Sequence, residues 1–486
     1  MRETLSEPVD GAASVDEDGT AGDEPLPYGY AGKRRAMTAT ATKADRHSGD
    51  VPRLGCYAVL VPRSSVVSRI AHDVMQHSPS LMPPPMGQGS VGKAEASHKP
   101  PWWQTLAKDF SRRPEPFQLA LGDALSVRAS AASDVVARTA AASLLASLAV
   151  PLGYHPWRLR QALADLEVYG EIVSSGDPSR FFRAPERPAR VHARSSRTFP
   201  DFRPVGGLRE ILTFDSPFMP IAASQHRDYL KHRHNRQAHA RYFRHGDGPR
   251  PTIIAIHGFS ADLYLVNEWL FALPWFYHMG CDVLLFTLPF HGPRRMNGSL
   301  FSGHGYFAGG PSRINEAVAQ SVLDLRVLID WLERERGVTD VGVTGVSLGG
   351  FTAAALACSE PRLKFAIPNV PVVSLADLVL EWEPIGTLVR TVLKATKRDV
   401  RDLRELLAVS CPLTWAPQLP PERLMIVAGV GDRLAPPKHS RILWDHWNRC
   451  RIHWFPGSHL LHLDRGAYLK EIARFLGGIG FLPPRD

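Results

Sequence analysis

Short apolar runs alternate with longer amphipathic segments over the second half of the chain. Each run is four or five residues long and mostly apolar, which predicts a buried β-strand. Strands that alternate with helices are typical of a parallel sheet with right-handed crossovers and helices on both faces. The predicted strands span residues 252–256, 283–287, 341–344, 364–368, 424–428 and 451–455.

The segments between these strands have the spacing of helices. In residues 313–335, apolar side chains recur at three- and four-residue intervals and form a single stripe. The residues of that stripe are Ile314, Val318, Val322, Leu325, Ile329 and Leu332. The predicted helices span residues 263–279, 313–335, 347–360, 438–447 and 463–475.

Residues 371–421 interrupt the alternation. They contain helical pieces with apolar positions such as Leu375, Leu378 and Val379, and they end in a proline-rich stretch. A helical insertion at this point of an α/β sheet predicts a cap over the site formed at the ends of the strands. Upstream, residues 207–248 predict two or three antiparallel strands that lead into the sheet.

The N-terminal part has two different patterns. Residues 1–115 are rich in Pro, Ser, Gly and Ala and predict disorder, because they bury too little apolar surface to offset the entropy of ordering. Residues 116–206 predict a helical extension, in which Pro156 begins a helix. We expect this extension to pack on the main domain or to cover the mouth of its pocket. The core then comprises residues 207–370 and 422–486, separated by the cap at 371–421.

Composition and charge narrow the class of protein. The chain has 486 residues, 44% of them hydrophobic, and a net charge of +9 without a polybasic block, so we expect no nucleic-acid partner. The five cysteines show no Cys-x-x-Cys spacing, which suits a reducing compartment. The most apolar stretch, residues 129–152, contains Asp134 and Arg138, so we expect no membrane insertion and a cytoplasmic location.

A Gly-x-Ser-x-Gly motif lies between the strand at 341–344 and the helix that follows. Residues Gly345 to Gly349 place Ser347 at a turn so sharp that the serine adopts a strained backbone with its hydroxyl exposed. The two glycines are needed because a Cβ at either position would collide with the neighbouring strand or helix. A glycine-rich turn without chemistry is the alternative, but the strand before and the helix after favour a nucleophile elbow.

An acid and a base follow two later strands. A serine hydroxyl is a poor nucleophile at neutral pH and needs a base, which in turn needs an orienting acid. Asp432 comes directly after the strand at 424–428, and His459 comes after the strand at 451–455. Both lie at carboxyl ends of predicted parallel strands, where such sheets form their sites. His462 is the rival base, which we predict to lie in the last helix and to face away.

The loop after the first parallel strand contains His257, Gly258 and Phe259. Since this loop lies beside the elbow, the backbone N–H of Phe259 is expected to form an oxyanion hole together with the N–H of Leu348. We interpret His257 as a brace for the loop.

Residues 207–480 resemble the α/β-hydrolase superfamily, and are similar to its serine carboxylesterases and related acyl hydrolases. The motifs that carry the resemblance are His257-Gly258-Phe259, Gly345-Val346-Ser347-Leu348-Gly349, Gly431-Asp432 and Gly457-Ser458-His459. The resemblance implies an acyl-enzyme mechanism without a metal or an organic cofactor. One glycine followed by Phe259 departs from the His-Gly-Gly-Gly pattern of the lipase branch, and the resemblance does not extend to residues 1–206.

These observations predict a serine hydrolase that acts on a small-molecule carboxylic ester or thioester. Ser347 is the predicted nucleophile, His459 the base and Asp432 the orienting acid. An acyltransferase or a peptidase with the same triad remains an alternative, as does a non-catalytic binding module. The oligomeric state is left open.

Three further features have two interpretations each. The basic, histidine-rich run at 226–235 suggests a metal or phosphate patch, but a solvated turn between strands is favoured. Arg294 and Arg295 suit a substrate carboxylate, with a solvated loop as the favoured alternative. Trp275, Trp382 and Trp415 suit an acyl pocket, with the core as the favoured alternative.

Overall fold

The computed structural model describes residues 100–115, 117, 121–149, 156–196, 202–260 and 263–483. These residues contain a nine-stranded sheet with the order β1-β2-β3-β5-β4-β6-β7-β8-β9. The strands are β1 (His192–Ser195), β2 (Gly207–Asp215), β3 (Gln237–His245), β4 (Thr252–Ile256), β5 (Asp282–Thr287), β6 (Val341–Val346), β7 (Leu363–Asn369), β8 (Met425–Gly429) and β9 (Arg451–Phe455).

The strands of the sheet divide into an antiparallel part and a parallel part. The pairings β1–β2, β2–β3 and β3–β5 are antiparallel, and all the others are parallel. All six strands predicted from the apolar runs are present, and they form the parallel part. The sequence-based prediction of a mostly parallel α/β sheet is therefore confirmed.

Helices connect and cover these strands. They are α1 (Trp102–Thr105), α2 (Leu121–Ala149), α3 (Pro156–Ser174), α4 (His226–Leu230), α5 (Tyr264–Phe271), α6 (Leu273–His278), α7 (His304–Phe307), α8 (Pro311–Arg336), α9 (Leu348–Ala357), α10 (Leu375–Glu381), α11 (Ile385–Ala395), α12 (Val400–Leu406), α13 (Pro437–His446) and α14 (Arg465–Gly478).

Both faces of the parallel sheet are buried. Along β4, Ile254 and Ile256 belong to the core cluster that includes residues of α8 and α9. Ile253 and Ala255 point the other way, into the cluster that includes residues of α5, α6 and α14. Because side chains alternate along a strand, a continuous apolar run is what a strand covered on both faces requires.

Helix α8 is more deeply buried than its apolar stripe predicts. The six residues of the stripe are at most 5% exposed, yet polar residues on other sides of the helix are buried too. On α3, the Tyr169 hydroxyl donates to Glu316 Oε1 at 2.7 Å, and Arg326 Nη1 donates to the Phe182 carbonyl at 2.6 Å. The segment that precedes the sheet therefore packs on the outer side of α8.

The prediction of disorder for residues 1–115 is wrong for its last part. Residues Trp102–Thr105 form α1, Phe110–Arg112 form a 3₁₀ helix, and the side chains of Trp102, Leu106 and Phe110 are buried in the main core cluster. Three large apolar side chains are enough to order a short proline-flanked segment when a partner surface is available. The rest of that prediction, residues 1–99, lies outside the described residues.

Two other elements differ from the predictions. Strand β1 lies within the stretch that was predicted as a helical extension, and it pairs with β2 as the first strand of the sheet. The helix predicted at 263–279 is divided into α5 and α6 at Ala272, whose φ is 51°. The proline at position 274 lies at the start of α6, where its missing N–H costs nothing.

The interruption at 371–421 contains the three helices α10, α11 and α12. Arg404 of α12 and Asp377 of α10 form a fully buried ion pair at 2.7 Å. Arg404 Nη1 also donates to the Leu106 carbonyl at 2.6 Å, so this helical layer is joined to the segment that follows α1.

Four cysteines of the described chain, Cys281, Cys358, Cys411 and Cys450, are buried free thiols, as the isolated spacing predicts. Cys56 lies outside the described part of the chain.

Among the helices that the structure describes, none combines the length and hydrophobicity of a membrane span.

Candidate active site

Ser347 occupies the turn between β6 and α9. Its backbone has φ 59° and ψ −115°, a conformation that a residue with a Cβ rarely adopts. Its N–H donates to the Asn369 carbonyl at 3.0 Å, which holds the turn against the end of β7. The residues on both sides of Ser347 are buried whereas Ser347 itself is partly exposed, which is compatible with the predicted role of a nucleophile.

The two glycines of the motif allow this turn. A Cβ on Gly345 would lie 2.1 Å from the carbonyl oxygen of Gly349, and a Cβ on Gly349 would lie 1.9 Å from the carbonyl oxygen of Ile256. Neither contact involves a side chain that could move away. The start of α9 thus crosses β4 at a distance that only glycine permits.

Asp432 lies in the loop after β8 and is 1% exposed. Its Oδ1 accepts the backbone N–H groups of Leu434 at 2.9 Å and Ala435 at 2.7 Å. These bonds form a local turn that uses Oδ1 and leaves Oδ2 for His459. Burial raises the pKa of Asp432, and hydrogen bonding with His459 acts in the opposite direction.

His459 lies in the loop after β9, and its Nδ1 donates to Asp432 Oδ2 at 2.7 Å. This bond leaves Nε2 as the nitrogen that can accept a proton. Burial lowers the pKa of His459, but the charge of Asp432, the hydrogen bond with Asp432 and the charge of Asp134 together outweigh burial, so the pKa lies above its ordinary value.

Backbone hydrogen bonds link strands β6 to β9 and the loops that follow them at one edge of the sheet. The N–H of Ser347 donates to Asn369, the N–H of Val370 donates to Val427 at 2.7 Å, and the N–H of Gly431 donates to Gly457 at 2.7 Å. Each bond joins the carboxyl end of one strand to that of the next. The predicted nucleophile, acid and base therefore follow strands β6, β8 and β9 at one edge of the sheet, with β7 between the first two.

His462 precedes α14, so the prediction that it lies inside the last helix is wrong. Its Nε2 contacts the His459 carbonyl at 3.1 Å and its Nδ1 contacts the Tyr468 hydroxyl at 3.2 Å. Burial and the neighbouring His459 lower its pKa to about 3. With both ring nitrogens in use and a ring that resists protonation, His462 is a poor alternative base.

The loop after β4 is braced by His257. Its Nδ1 donates to the Gly258 carbonyl at 2.8 Å, and its Nε2 accepts the N–H of Leu288 at 3.1 Å. These contacts agree with the interpretation of His257 as a brace. Leu348 is the first residue of α9, so its N–H has no acceptor within the helix. The pair of donors predicted from Phe259 and Leu348 stays a prediction.

Sequence reasoning missed two residues of α2: Asp134, which contacts both loops, and Arg138, which contacts the loop of Asp432. Asp134 accepts backbone N–H groups from Arg433, His459 and Leu460, and Arg138 donates to the Arg433 carbonyl at 3.0 Å. From the sequence, the charges of these two residues indicated only that the helix does not cross a membrane. Their four-residue spacing in an alanine-rich helix was the available signal, since such a pair lies on one face.

The remaining candidates are structural. Arg294 is fully buried and donates to Asp324 Oδ2 at 2.7 Å, so it is neither a substrate ligand nor part of a solvated loop. In the histidine-rich run, Tyr229 and Asn235 are buried, which the solvated-turn interpretation did not anticipate. Within the described residues no group of three metal-binding side chains occurs.

The tryptophans divide between core and site. Trp415 is buried in the main core cluster, as the favoured interpretation predicts, and Trp275 packs partly buried against the second cluster. Trp382, at the end of α10, donates through Nε1 to the Leu434 carbonyl at 3.0 Å. The helical layer is thereby joined to the loop of Asp432.

The chain is similar, over part of its length, to several known proteins. A family model described as "Alpha/beta hydrolase domain containing 18" matches residues 315–382, a span that runs from α8 through Ser347 to the end of α10. Two uncharacterized proteins of Mycobacterium tuberculosis, MT2702 of strain CDC 1551 / Oshkosh and Rv2627c of strain ATCC 25618 / H37Rv, are 29% identical over 307 residues. The match covers 62% of this chain and 70% of each relative.

Similar solved structures include two acetyl xylan esterases. The esterase from Thermoanaerobacterium sp. JW/SL YS485 has a TM-score of 0.43 and 17% identity, and the match covers 64% of this chain and 93% of that one. The esterase from Paenibacillus sp. R4 has a TM-score of 0.44 and 15% identity, with 65% and 94% covered. The sheet order and the strained serine between β6 and α9 are those of an α/β-hydrolase fold, and the family-model match shows similarity to an α/β-hydrolase domain over residues 315–382.

Proposed function

We propose that the protein is a serine hydrolase that cleaves a carboxylic ester or thioester through an acyl-enzyme intermediate. One observation carries the proposal: a buried Asp432–His459 hydrogen bond of 2.7 Å lies on the sheet edge where Ser347 occupies a strained turn. A purely structural turn would not need a partly exposed serine with an unfavourable φ.

The proposed reaction assigns one task to each residue. Ser347 Oγ attacks the acyl carbon while its proton passes to His459 Nε2. The protonated imidazole then gives this proton to the departing alcohol or thiol, and the acyl-enzyme forms. Water attacks the acyl-enzyme with the help of His459, which releases the acid and restores Ser347.

Asp432 and the two backbone N–H donors act by position and charge. Asp432 holds the histidine in the tautomer with a proton on Nδ1 and stabilises the imidazolium that forms. The N–H groups of Phe259 and Leu348 are assigned to the oxyanion of the tetrahedral intermediate. Donors of this kind lower the barrier by roughly 3–4 kcal/mol each in serine hydrolases.

The test uses p-nitrophenyl acetate, butyrate and octanoate together with a fluorophosphonate probe. Ser347→Ala should abolish hydrolysis and labelling, with a loss on the order of 10⁶-fold in kcat if the three residues act as a unit. Ser359→Ala is the matched control, because the Ser359 hydroxyl donates to backbone carbonyls of the preceding helical turn.

Labelling that persists in Ser347→Ala, or that maps to another serine, would overturn the assignment. Circular dichroism and thermal unfolding of both variants establish that the loss does not come from unfolding.

A further inference from the structure

One face of α2 contacts the two loops that carry the proposed acid and base. Val127, Ala131, Asp134 and Arg138 follow the spacing of a single helix face, and the first three are buried. A Cβ on Gly431 would lie 2.7 Å from Val127 Cγ1, so glycine at that position lets α2 approach the Asp432 loop closely. An acidic side chain at the centre of such a face needs a specific partner.

Asp134 finds its partners in both loops at once. Its Oδ2 accepts the N–H of Arg433 at 3.0 Å and the N–H of His459 at 2.7 Å, and its Oδ1 accepts the N–H of Leu460 at 3.2 Å. The first of these residues directly follows Asp432, and the second is His459 itself. One carboxylate thereby joins the peptide groups that position the acid and the base.

Arg138 completes the attachment one turn further along α2. Its Nη1 donates to the carbonyl of Arg433, whose N–H is bound by Asp134. The peptide groups on both sides of residue 433 are therefore held by one helix. Because both groups are bound, the loop backbone beside Asp432 cannot shift relative to α2 without breaking these hydrogen bonds.

The charge of Asp134 also acts on the imidazole. The groups that face His459 are Asp432, Asp134 and His462, of which the two acids raise its pKa. A second carboxylate, bound to the backbone N–H of His459, favours the imidazolium that would form during acyl transfer.

We propose that Asp134 is a positioning residue of the active site, which holds the loops of Asp432 and His459 together and places a second negative charge on the backbone N–H of His459. This inference rests on the proposed function.

The experiment measures kcat and KM for p-nitrophenyl butyrate against pH, with active sites counted by fluorophosphonate. Asp134→Asn should lower kcat on the order of 10²-fold with little change in KM, because a small displacement of the base costs that much. The acidic limb of kcat/KM should move to lower pH, since the charge that raises the pKa of His459 is gone. Asp134→Glu keeps the charge, so its acidic limb should stay in place while kcat falls.

Asp165→Asn is the matched control. Asp165 is a buried carboxylate of α3 that accepts from the Ser224 hydroxyl at 2.6 Å and lies outside the proposed machinery. This control should lower stability without moving the acidic limb. The proposal would be overturned by an Asp134→Asn enzyme that has a normal kcat and an unmoved acidic limb. If Asp134→Asn does not fold, an Asp134→Glu enzyme with a normal kcat would overturn it.

A second readout separates this inference from the proposed function. An NMR titration follows the ring signal that is missing in His459→Gln, and its pKa should be lower in Asp134→Asn than in the wild type. Wild-type protein without hydrolysis or labelling would refute the proposed function alone, whereas an unchanged titration would refute the role of Asp134.

Discussion

At the scale of single residues, each oxygen of Asp432 has a separate task. Oδ1 is bound by two backbone N–H groups of its own loop, and Oδ2 is left for His459. The proposed acid is thus oriented by its own loop, independently of His459. Preorganisation of this kind is what allows a triad to act without rearrangement at each step.

Asp432→Asn should reduce kcat about 10⁴-fold, because an amide at this position favours the wrong tautomer of His459. The measurement is steady-state hydrolysis of p-nitrophenyl butyrate. Asp445→Asn, an acid of α13 that faces Arg449, should remain close to wild type. A nearly active Asp432→Asn, combined with a different acid whose loss is fatal, would show that the acid is misassigned.

The pH dependence follows from the direction of the shift at His459. The base must be neutral to accept the proton of Ser347, so kcat/KM should fall as the pH drops through the pKa of His459 in the free enzyme. Because the acids beside it raise that pKa, the midpoint should lie above the ordinary histidine value of about 6.5. A midpoint well below that value in a kcat/KM profile would contradict the arrangement.

At the scale of elements, the helical layer α10 to α12 is the candidate for substrate selection. It leaves the sheet at the carboxyl end of β7, next to the strand that carries Ser347, and Trp382 joins it to the Asp432 loop. We propose that it shapes the acyl pocket and excludes water.

Leu378→Ala and Val379→Ala should change the preference between acetyl, butyryl and octanoyl esters more than they change the rate with acetyl ester. One methylene in an apolar pocket is worth roughly 10–200-fold in discrimination. Leu332→Ala on α8, in the main core under the sheet, is the control and should lower only stability. An equal loss of kcat/KM with all three esters would mean that these helices only stabilise the fold.

At the scale of the whole molecule, segments far apart in the chain are joined around the site. Arg404 binds the Leu106 carbonyl, Lys438 Nζ donates to the Ser111 carbonyl at 3.0 Å, and Asp134 binds the loop of His459. Parts that precede the sheet in sequence therefore belong to the same folded unit as the last strands.

Substitution of Trp102 measures how strongly the segment that precedes the sheet is held in this unit. Its ring is 9% exposed in the core, and its Nε1 donates to Thr414 Oγ1 at 2.9 Å. Trp102→Ala should lower the free energy of unfolding by about 3–5 kcal/mol in urea titrations. Trp102→Phe keeps most of the packing and should cost about 1 kcal/mol, the worth of the hydrogen bond. Wild-type stability of Trp102→Ala would mean that residues 102–112 merely rest on the surface.

The sequence by itself determined the parallel strands, the helices between them, the elbow, and the order in which Ser347, Asp432 and His459 follow their strands. These are local properties: apolar runs, helical spacing and glycines that permit a sharp turn are readable within a few residues of each position. The Asp432–His459 hydrogen bond could be anticipated because parallel strands bring their carboxyl ends to one edge.

Only the tertiary structure decided what fills the space around that edge. Asp134 and His459 are 325 positions apart, and no local pattern indicates which loop a polar residue of an alanine-rich helix will reach. In the same way Trp102 lies in a proline-flanked stretch that is too short to bury its own side chains, and it is ordered by a surface made from distant residues. Arg294 lies in a loop sequence that suggests solvent exposure, but it forms a buried ion pair with Asp324 of α8. Long-range packing creates such partners, and their energies do not exist until the chain has folded.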